Sequence, residues 1–260
     1  MLYPRIIPCL LVKDKGLVKT VNFRNPKYVG DPINAVKIFN EKEVDELMVI
    51  DIDATRENRE PDYVMIERLA AECRMPLCYG GGVKSSSQIE RIIQLGVEKV
   101  AISSAAIANP LLVTEAADKV GNQSVVVVLD VKKKLLGGKY EVYTHNGQKA
   151  TGKNPLELAL QMEKLGAGEI VINSIDQDGV MKGFDFSLIE KIRSSIAIPL
   201  TVLGGAGSLE DIGKLINKYG AIGASAGSLF VFKGIFKAVL INYPNRQEKS
   251  KLISEYYPNS

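Results

Sequence analysis

The chain has 260 residues, of which 46% are hydrophobic and 24% are charged, values typical of a soluble globular protein. Its length suits one large α/β domain or two small ones. The net charge of +3 is too small to indicate nucleic-acid binding, and no apolar run is long enough to insert into a membrane. No cleavage site follows the short apolar N-terminal run, so we expect a cytoplasmic protein with reduced cysteines at Cys9, Cys73 and Cys78.

Short runs rich in Val, Ile and Leu alternate with helical patterns along the chain. Strands are predicted near residues 5–12, 47–52, 76–80, 99–103, 124–131, 169–174, 198–203 and 221–225. Helix starts are marked by a capping residue or a proline at Asp31-Pro32, Pro61-Asp62, Asn109-Pro110 and Asn154-Pro155. Eight strands with intervening helices favour a closed (β/α)8 TIM barrel over a doubly wound open sheet, because no GxGxxG motif follows the first strand.

An internal repeat divides the chain into two similar halves. DELMVIDIDAT (45–55) resembles GEIVINSIDQD (168–178), PLCYGGGV (76–83) resembles PLTVLGGA (199–206), and LGVEKVAISSAAI (95–107) resembles YGAIGASAGSLFV (219–231). The offset is near 123 residues, and it is 119 for LLVK (10–13) and LDVK (129–132). We therefore predict a single domain over 1–260, built from duplicated half-barrels of about 1–120 and 121–245 and a C-terminal tail. The last residues, YYPNS, are expected to be loosely held.

Small residues are concentrated at four predicted strand ends, where the chemistry of such barrels takes place. Backbone N–H groups at small residues can approach an anion closely, although glycines also serve simply to allow tight turns. Because two such groups occupy equivalent places in the repeat, we predict two phosphate sites on opposite sides of one opening. The predicted phosphate- or ligand-binding residues are Gly81, Gly82, Ser103, Ser104, Gly204, Gly205, Gly227 and Ser228.

Between these sites, the fifth predicted strand ends in Asp130, a carboxylate that can transfer a proton. Its alternative role is a salt bridge to Lys132 or Lys19. The repeat equivalent of Asp130 is Leu11, which cannot transfer a proton, so chemistry that needs two facing carboxylates is compromised. Further candidates for orienting ligand hydroxyls are Asp51, Asp53, Asp176, Asp178 and the adjacent Gly179.

Charged residues mark the opposite ends of the strands. Arg5, Glu46, Lys99 and Glu169 stand at strand starts, and alternate positions there point into one ring. Such a ring either stabilises the barrel bottom or acts as a gate to a passage through the barrel. The chain has one histidine, His145, which we expect to face solvent in a turn, and we expect neither a metal site nor a cofactor.

The stretches RIIPCLLVKD, GDPINAVKIFNEKEVDEL, GGGVKSS, EKVAISSAA, GAGEIVINSIDQDG and LGGAGS resemble the cyclase subunit of imidazole glycerol phosphate synthase, HisF, over about residues 1–245. The resemblance implies a (β/α)8 barrel paired with a glutaminase subunit, HisH, whose ammonia enters at the barrel bottom and reacts at the top. It also implies a ribulosyl-formimino aminoimidazole carboxamide nucleotide with two phosphates as substrate. The products would be imidazole glycerol phosphate and aminoimidazole carboxamide ribotide.

The resemblance assigns the gate to Arg5, Glu46, Lys99 and Glu169, a first-loop lysine to Lys19, and a catalytic aspartate to Asp130. The family's other catalytic aspartate falls on Leu11. Further departures are Ser103-Ser104 for Asn-Thr, Asn173 for a threonine and Leu203 for a serine. The gate is therefore kept while the cyclase centre is altered.

One branch of the family fits this pattern. Its members occur in bacterial surface-polysaccharide gene clusters beside a HisH-like glutaminase and a separate amidotransferase, and DIDATRENREPD resembles that branch. We therefore expect a partner of a HisH-like glutaminase that serves amidination of an acetamidino sugar and binds a phosphorylated small molecule or sugar nucleotide. The alternatives are a working cyclase of histidine biosynthesis, a non-catalytic scaffold or activator of a glutaminase, and a sugar isomerase of the same ancestry.

Overall fold

A computed structural model describes residues 3–134 and 137–256 of the chain. In this part, eight parallel strands form the barrel: β1 (Arg5–Lys13), β2 (Leu47–Asp51), β3 (Leu77–Gly80), β4 (Lys99–Ile102), β5 (Val125–Lys133), β6 (Glu169–Ser174), β7 (Leu200–Leu203) and β8 (Gly223–Ala226). Each strand pairs with the next, and β8 pairs with β1, where Arg5 lies opposite Gly223. The sheet is therefore closed, and the predicted (β/α)8 barrel is confirmed.

Helices surround the strands in the described part of the chain. They are α1 (Pro32–Glu41), α2 (Tyr63–Glu72), α3 (Ser86–Gln94), α4 (Leu111–Val120), α5 (Pro155–Lys164), α6 (Phe186–Arg193), α7 (Leu209–Tyr219) and α8 (Arg246–Tyr256), with shorter helices at Ser104–Ala108 and Ser228–Val231. Asp31, Asp62 and Asn154 accept backbone N–H bonds at the starts of α1, α2 and α5, as predicted. Before α4, Pro110 occupies the capping position without a side-chain bond. None of the described helices is long and apolar enough to cross a membrane.

The segment after residue 245, predicted as a tail, forms α8 and completes the eighth unit. This helix packs against α7, and Lys249 Nζ contacts Asp45 Oδ1 at 2.6 Å. Leu252 is buried in an otherwise polar helix sequence, so the apolar periodicity that indicates a helix is weak here. Of the stretch predicted to be loosely held, residues 257–260 lie outside the described residues.

Two hairpins that the sequence analysis missed extend from equivalent places in the two halves. After β1, strands Gly16–Val21 and Arg24–Gly30 pair, and after β5, strands Tyr140–Thr144 and Lys149–Ala150 pair. The first turn, Asn22-Phe23, has positive φ at both residues, the conformation of a tight two-residue hairpin turn. The second turn is longer, spanning residues 145–148 with positive φ at His145, Asn146 and Gly147. The hairpins extend β1 and β5 beyond the barrel, so their turns come to lie over its carboxyl end.

The barrel interior holds its own apolar core, distinct from the layer between strands and helices. Alternating residues of the strands point inward and pack together as the lumen cluster, which consists of Ile7, Cys9, Met48, Cys78, Ala101, Val126 and Val171. Cys9 and Cys78 are buried free thiols, and Cys73 is a half-buried free thiol, as the expectation of reduced cysteines requires. The lumen cluster separates the two ends of the barrel.

Candidate functional site

A cavity of about 330 Å³, the mouth, lies at the carboxyl ends of the strands. Its wall includes the ends of the strands and parts of both hairpins. The predicted site residues that line it are Leu11, Lys19, Asp51, Gly81, Gly82, Ser103, Ser104, Asp130, Asp178, Gly179, Gly204, Gly205, Gly227 and Ser228. Residues distant in sequence therefore meet in one cavity, with the ends of β3 and β4 facing those of β7 and β8 across the barrel.

The glycines of the two predicted phosphate sites are required by the backbone. Gly81 and Gly205 have φ angles of +116° and +119°. A Cβ atom at Gly81 would lie 2.4 Å from the Asp51 carbonyl oxygen, and one at Gly205 would lie 2.1 Å from the Gly183 carbonyl oxygen. Only glycine fits either place, which accounts for the two glycine groups whether or not an anion binds.

The serine hydroxyls at these sites differ in their partners. Ser104 Oγ accepts a hydrogen bond of 3.3 Å from the backbone N–H of His145. Ser103 Oγ is buried and has no hydrogen-bond partner among the described residues. A buried hydroxyl without a partner is unfavourable, so Ser103 has a free hydrogen-bonding group to offer a ligand in the mouth.

Asp130 lies at the floor of the mouth beside Asn173, its neighbour in the β5–β6 pairing. Asn173 Nδ2 donates to Asp130 Oδ1 at 2.9 Å. Burial raises the pKa of Asp130 to about 7, although the hydrogen bond from Asn173 lowers it. The nearby Asp178 carboxylate also raises this pKa. Among the described residues, neither Lys19 nor Lys132 forms an ion pair with Asp130, so the salt-bridge interpretation is wrong. The carboxyl group is therefore suited to gain and lose a proton near neutral pH.

Leu11 faces the same floor and is surrounded by apolar side chains. It pairs with Ile50 in the β1–β2 register, and Val128 and Leu203 pack with both against the lumen cluster. Where the first half of the barrel has Leu11 and Ile50, the second half has Asp130 and Asn173. The floor is consequently polar on one side and apolar on the other.

Lys19 is the buried cation of the mouth. Its hairpin directs Nζ toward the Cys9 carbonyl oxygen, to which it donates at 2.6 Å. A Cβ atom at Gly227 would lie 2.5 Å from this Nζ, so the glycine leaves room for the lysine. Burial lowers the pKa of Lys19, although the nearby Asp178 carboxylate favours its charged form.

Asp178 lines the mouth, but Asp176 does not. Asp178 Oδ2 accepts hydrogen bonds from Thr20 Oγ1 at 2.7 Å and from the Phe23 backbone N–H at 3.1 Å, so it fastens the first hairpin. The short 3₁₀ turn Ile175–Gln177 directs Asp176 outward, where it accepts from the Lys133 backbone N–H at 2.8 Å. Asp176 instead borders an adjacent cavity that shares Phe23 and Asn146 with the mouth, and its role in orienting a ligand stays a prediction.

The two aspartates after β2 also have structural partners. Asp53 is buried outside the mouth and pairs with Lys13 and Arg56. Asp51 lines the mouth, yet its Oδ1 accepts the backbone N–H groups of Asp53 and Ala54 at 3.1 and 3.0 Å. Both carboxylates hold the loop after β2 in place.

His145 is half-buried and lines the mouth, so the prediction of a solvent-facing residue is wrong. It lies in the turn of the second hairpin, and its Nδ1 is 3.0 Å from Thr144 Oγ1. The turn itself was predicted correctly. The direction of the turn depends on the hairpin, which brings the His145 backbone N–H to Ser104 Oγ.

At the opposite end of the barrel, Arg5, Glu46, Lys99 and Glu169 form a closed set of ion pairs, the charged ring. Arg5 contacts Glu46 and lies 2.7 Å from Glu169, and Lys99 lies 2.8 Å from Glu46 and 2.9 Å from Glu169. The carboxylate side chains are only 4% and 6% exposed. The strand-start residues thus converge as predicted.

In three members of the charged ring, the neighbouring opposite charges outweigh burial in setting the pKa. Burial disfavours every charged form, yet the neighbouring opposite charges raise the pKa of Arg5 and Lys99 and lower that of Glu169. Arg5, Lys99 and Glu169 therefore stay charged at neutral pH. A fifth residue, Thr201, donates to Glu169 and was missed because a lone threonine in a strand gives no signal in sequence.

The fold and the mouth define a (β/α)8 barrel with its cavity at the carboxyl ends of the strands. The family model for histidine biosynthesis protein matches residues 5–237, and the chain belongs to this family. This confirms the resemblance found in the motifs.

Curated relatives extend over nearly the whole chain. It is 58% identical over 253 residues to "Putative imidazole glycerol phosphate synthase subunit hisF3" of Vibrio vulnificus, which covers 97% of both chains. It is 53% identical over 245 residues to the protein of Pseudomonas aeruginosa named as the corresponding putative subunit hisF2, covering 94% of this chain and 97% of that one. It is 42% identical over 232 residues to "Imidazole glycerol phosphate synthase subunit HisF" of Lactiplantibacillus plantarum, covering 89% and 92%. The chain is therefore HisF-like over nearly its full length.

Proposed function

We propose that this protein is the synthase subunit of a glutamine amidotransferase complex, in which a HisH-like glutaminase supplies ammonia at the charged ring. The ammonia crosses the barrel to the mouth and serves amidination of a surface-polysaccharide sugar, directly or through a separate amidotransferase. The observation that carries the proposal is the order of three features along the barrel axis. A charged ring, an apolar lumen cluster and a ligand-sized mouth with one floor carboxyl group follow each other along one axis.

The lumen cluster favours neutral ammonia over ammonium. Its side chains are apolar, and burial raises the pKa of Cys9 to about 11 and that of Cys78 well above its usual value, so both thiols stay neutral. Moving a cation through such surroundings costs several kcal/mol, whereas a neutral molecule avoids most of that cost. This property suits transfer of ammonia rather than of the ion that dominates in water at neutral pH.

The mouth supports a reaction other than cyclisation. Acid–base catalysis by a positioned group contributes about 10²–10⁴-fold in rate, and Leu11 removes one member of the pair that the cyclase family uses. Leu203 makes a second polar-to-apolar change on the same floor. The two predicted phosphate sites, Lys19 and the free Ser103 hydroxyl remain for a phosphorylated ligand.

The second candidate is a working cyclase of histidine biosynthesis. Relatives that are 41–43% identical bear the name imidazole glycerol phosphate synthase subunit HisF. The pKa of about 7 at Asp130 also equips that one carboxyl group to take up and release a proton.

The deciding experiment supplies the ribulosyl-formimino nucleotide and excess ammonium salt at alkaline pH, without a glutaminase. We expect no turnover by the natural chain and partial turnover by Leu11→Asp. Leu11→Asn is the matched control, because it adds polarity of the same size without a carboxylate. Full turnover by the natural chain would establish the histidine-pathway cyclase and overturn the amidination proposal.

The charged ring is tested in the complex with the glutaminase. Lys99→Ala should change the ratio of ammonia used to glutamine hydrolysed while the barrel stays folded. The exposed pair Lys119–Glu90 supplies the control variant Lys119→Ala. An unchanged ratio in Lys99→Ala would reduce the ring to a structural role.

A further inference from the structure

Thr201 belongs to the charged ring although it carries no charge. Its side chain is completely buried on β7. Thr201 Oγ1 donates to Glu169 Oε1 at 2.5 Å and accepts a bond of 3.4 Å from Arg5 Nη2. The hydroxyl therefore uses both its proton and a lone pair within the ring.

Gly223 provides the space that this hydroxyl occupies. Gly223 on β8 lies between Thr201 on β7 and Arg5 on β1, and it is the register partner of both. A Cβ atom at Gly223 would lie 1.8 Å from Thr201 Oγ1, far inside contact distance. Any larger residue would displace either the hydroxyl or its own strand, so Thr201 and Gly223 form a matched pair.

The two carboxylates of the ring are held differently as a result. Glu169 bonds Arg5 and Lys99 and also receives the Thr201 hydroxyl. Glu46 bonds the same two cations, but no hydroxyl of the described residues donates to it. Glu169 is therefore bonded to the wall of the barrel as well as to the two cations, whereas Glu46 is held, among the described residues, by the two cations alone.

We propose that Thr201, seated by Gly223, is a positioning residue that fixes Glu169 as the anchored side of the ring, so that the ring opens by release of Glu46. In this arrangement Arg5 and Lys99 stay paired with Glu169 while their bonds to Glu46 break. The role of the opening rests on the proposed function, because it is ammonia from the glutaminase that would pass. The anchoring of Glu169 does not depend on that function.

The first test follows the Glu169 carboxyl group by NMR in full-length protein with ¹³C-labelled glutamate, with Glu169→Gln to assign the signal. Thr201→Val removes the hydroxyl at nearly constant size and should raise the pKa of Glu169, since that bond favours the ionised form. Thr201→Ser keeps the hydroxyl and should restore the natural titration. Thr114→Val is the control, because Thr114 donates to the Leu165 carbonyl oxygen away from the ring.

The second test measures ammonia used per glutamine hydrolysed in the complex with the glutaminase. Thr201→Val and Gly223→Ala should lower this ratio roughly tenfold or more, the scale of losing one hydrogen bond to a charged group. Thr201→Ser should match the natural chain. Should Thr201→Val fail to fold, Thr201→Ala removes the same hydroxyl with no added atom and takes its place in both tests.

Together, the two tests distinguish the anchoring of Glu169 from the passage of ammonia through the ring. An unshifted Glu169 titration in Thr201→Val, or a shift that Thr201→Ser does not reverse, overturns the anchoring role. A shifted titration with an unchanged ratio in Thr201→Val, Gly223→Ala and Lys99→Ala supports the anchor and overturns ammonia passage through the ring. A shifted Glu169 titration together with a lowered ratio of ammonia used to glutamine hydrolysed supports both the anchor and ammonia passage.

Discussion

The two ends of the lumen cluster bury charge in opposite ways. In the charged ring, each of the four side chains has two partners of opposite sign. In the mouth, Asp130 is bonded by the neutral amide of Asn173, and Lys19 by the neutral carbonyl of Cys9. Complete pairing makes the ring stable by itself, whereas incomplete pairing leaves the mouth ready for a ligand that supplies the missing charges.

The same contrast appears in the titration of the two ends. The pKa of Glu169 is lowered, so its stabilising effect is present above the unfolded-state pKa and is lost as the pH falls through the folded-state value. The pKa of Asp130 is raised to about 7, so the protein loses stability as the pH rises from about 4 to 7, because the group ionises in the unfolded chain but stays protonated in the folded one. Lowering the pH therefore reduces the stability that the charged ring contributes, and raising the pH reduces the stability of the mouth.

The largest effect is expected from breaking the ring. Arg5→Ala leaves Glu46 and Glu169 buried with Lys99 as their remaining cation, and we expect a loss of about 3 kcal/mol in the free energy of unfolding. Urea denaturation at pH 7 measures it. Lys119→Ala, which breaks a pair with side chains 41% and 44% exposed, should cost less than about 1 kcal/mol. Equal losses in the two variants would show that pairing in the ring contributes no special stability.

A smaller effect of opposite sign is expected in the mouth. Asp130→Asn removes a carboxyl group that ionises at a cost, while its amide oxygen can still accept from Asn173. At pH 8 the variant should be more stable than the natural chain by on the order of 1–3 kcal/mol, and the gain should shrink toward pH 4. Urea denaturation at both pH values measures this, with the exposed Asp118→Asn as control. A gain in stability that does not depend on pH would contradict the raised pKa of the Asp130 carboxyl group.

The smallest effect concerns the predicted phosphate sites. Inorganic phosphate at tenfold its dissociation constant should stabilise the protein by about 1.4 kcal/mol for each occupied site, a shift of roughly 2–4 °C in Tm per site. Ser228→Asp puts a negative charge at one site and should reduce the shift, whereas Ser254→Asp on the exposed face of α8 should leave it unchanged. A crystal grown in phosphate should show ions near Gly82 with Ser104 and near Gly205 with Ser228. Two empty sites in such a crystal would count against this role for the glycine-rich ends.

Local pattern was sufficient for the barrel and for its bottom end. Eight buried strands alternating with capped helices predicted the closed sheet, and within each strand the side-chain direction has a period of two residues. The same period predicted that Arg5, Glu46, Lys99 and Glu169 would converge. The repeat identified Leu11 as the counterpart of Asp130, and the strand-end glycines marked the wall of the mouth.

Tertiary structure decided where the side chains beyond the ends of the strands point. The hairpins direct His145 into the mouth and bring Thr20 to Asp178, and a 3₁₀ turn directs Asp176 away from it. The seating of Thr201 depends on Gly223 in another strand. A strand residue takes its direction from its immediate neighbours, so sequence determines it. A residue in a turn, or one fitted against another strand, takes its direction from contacts that form only when distant segments meet.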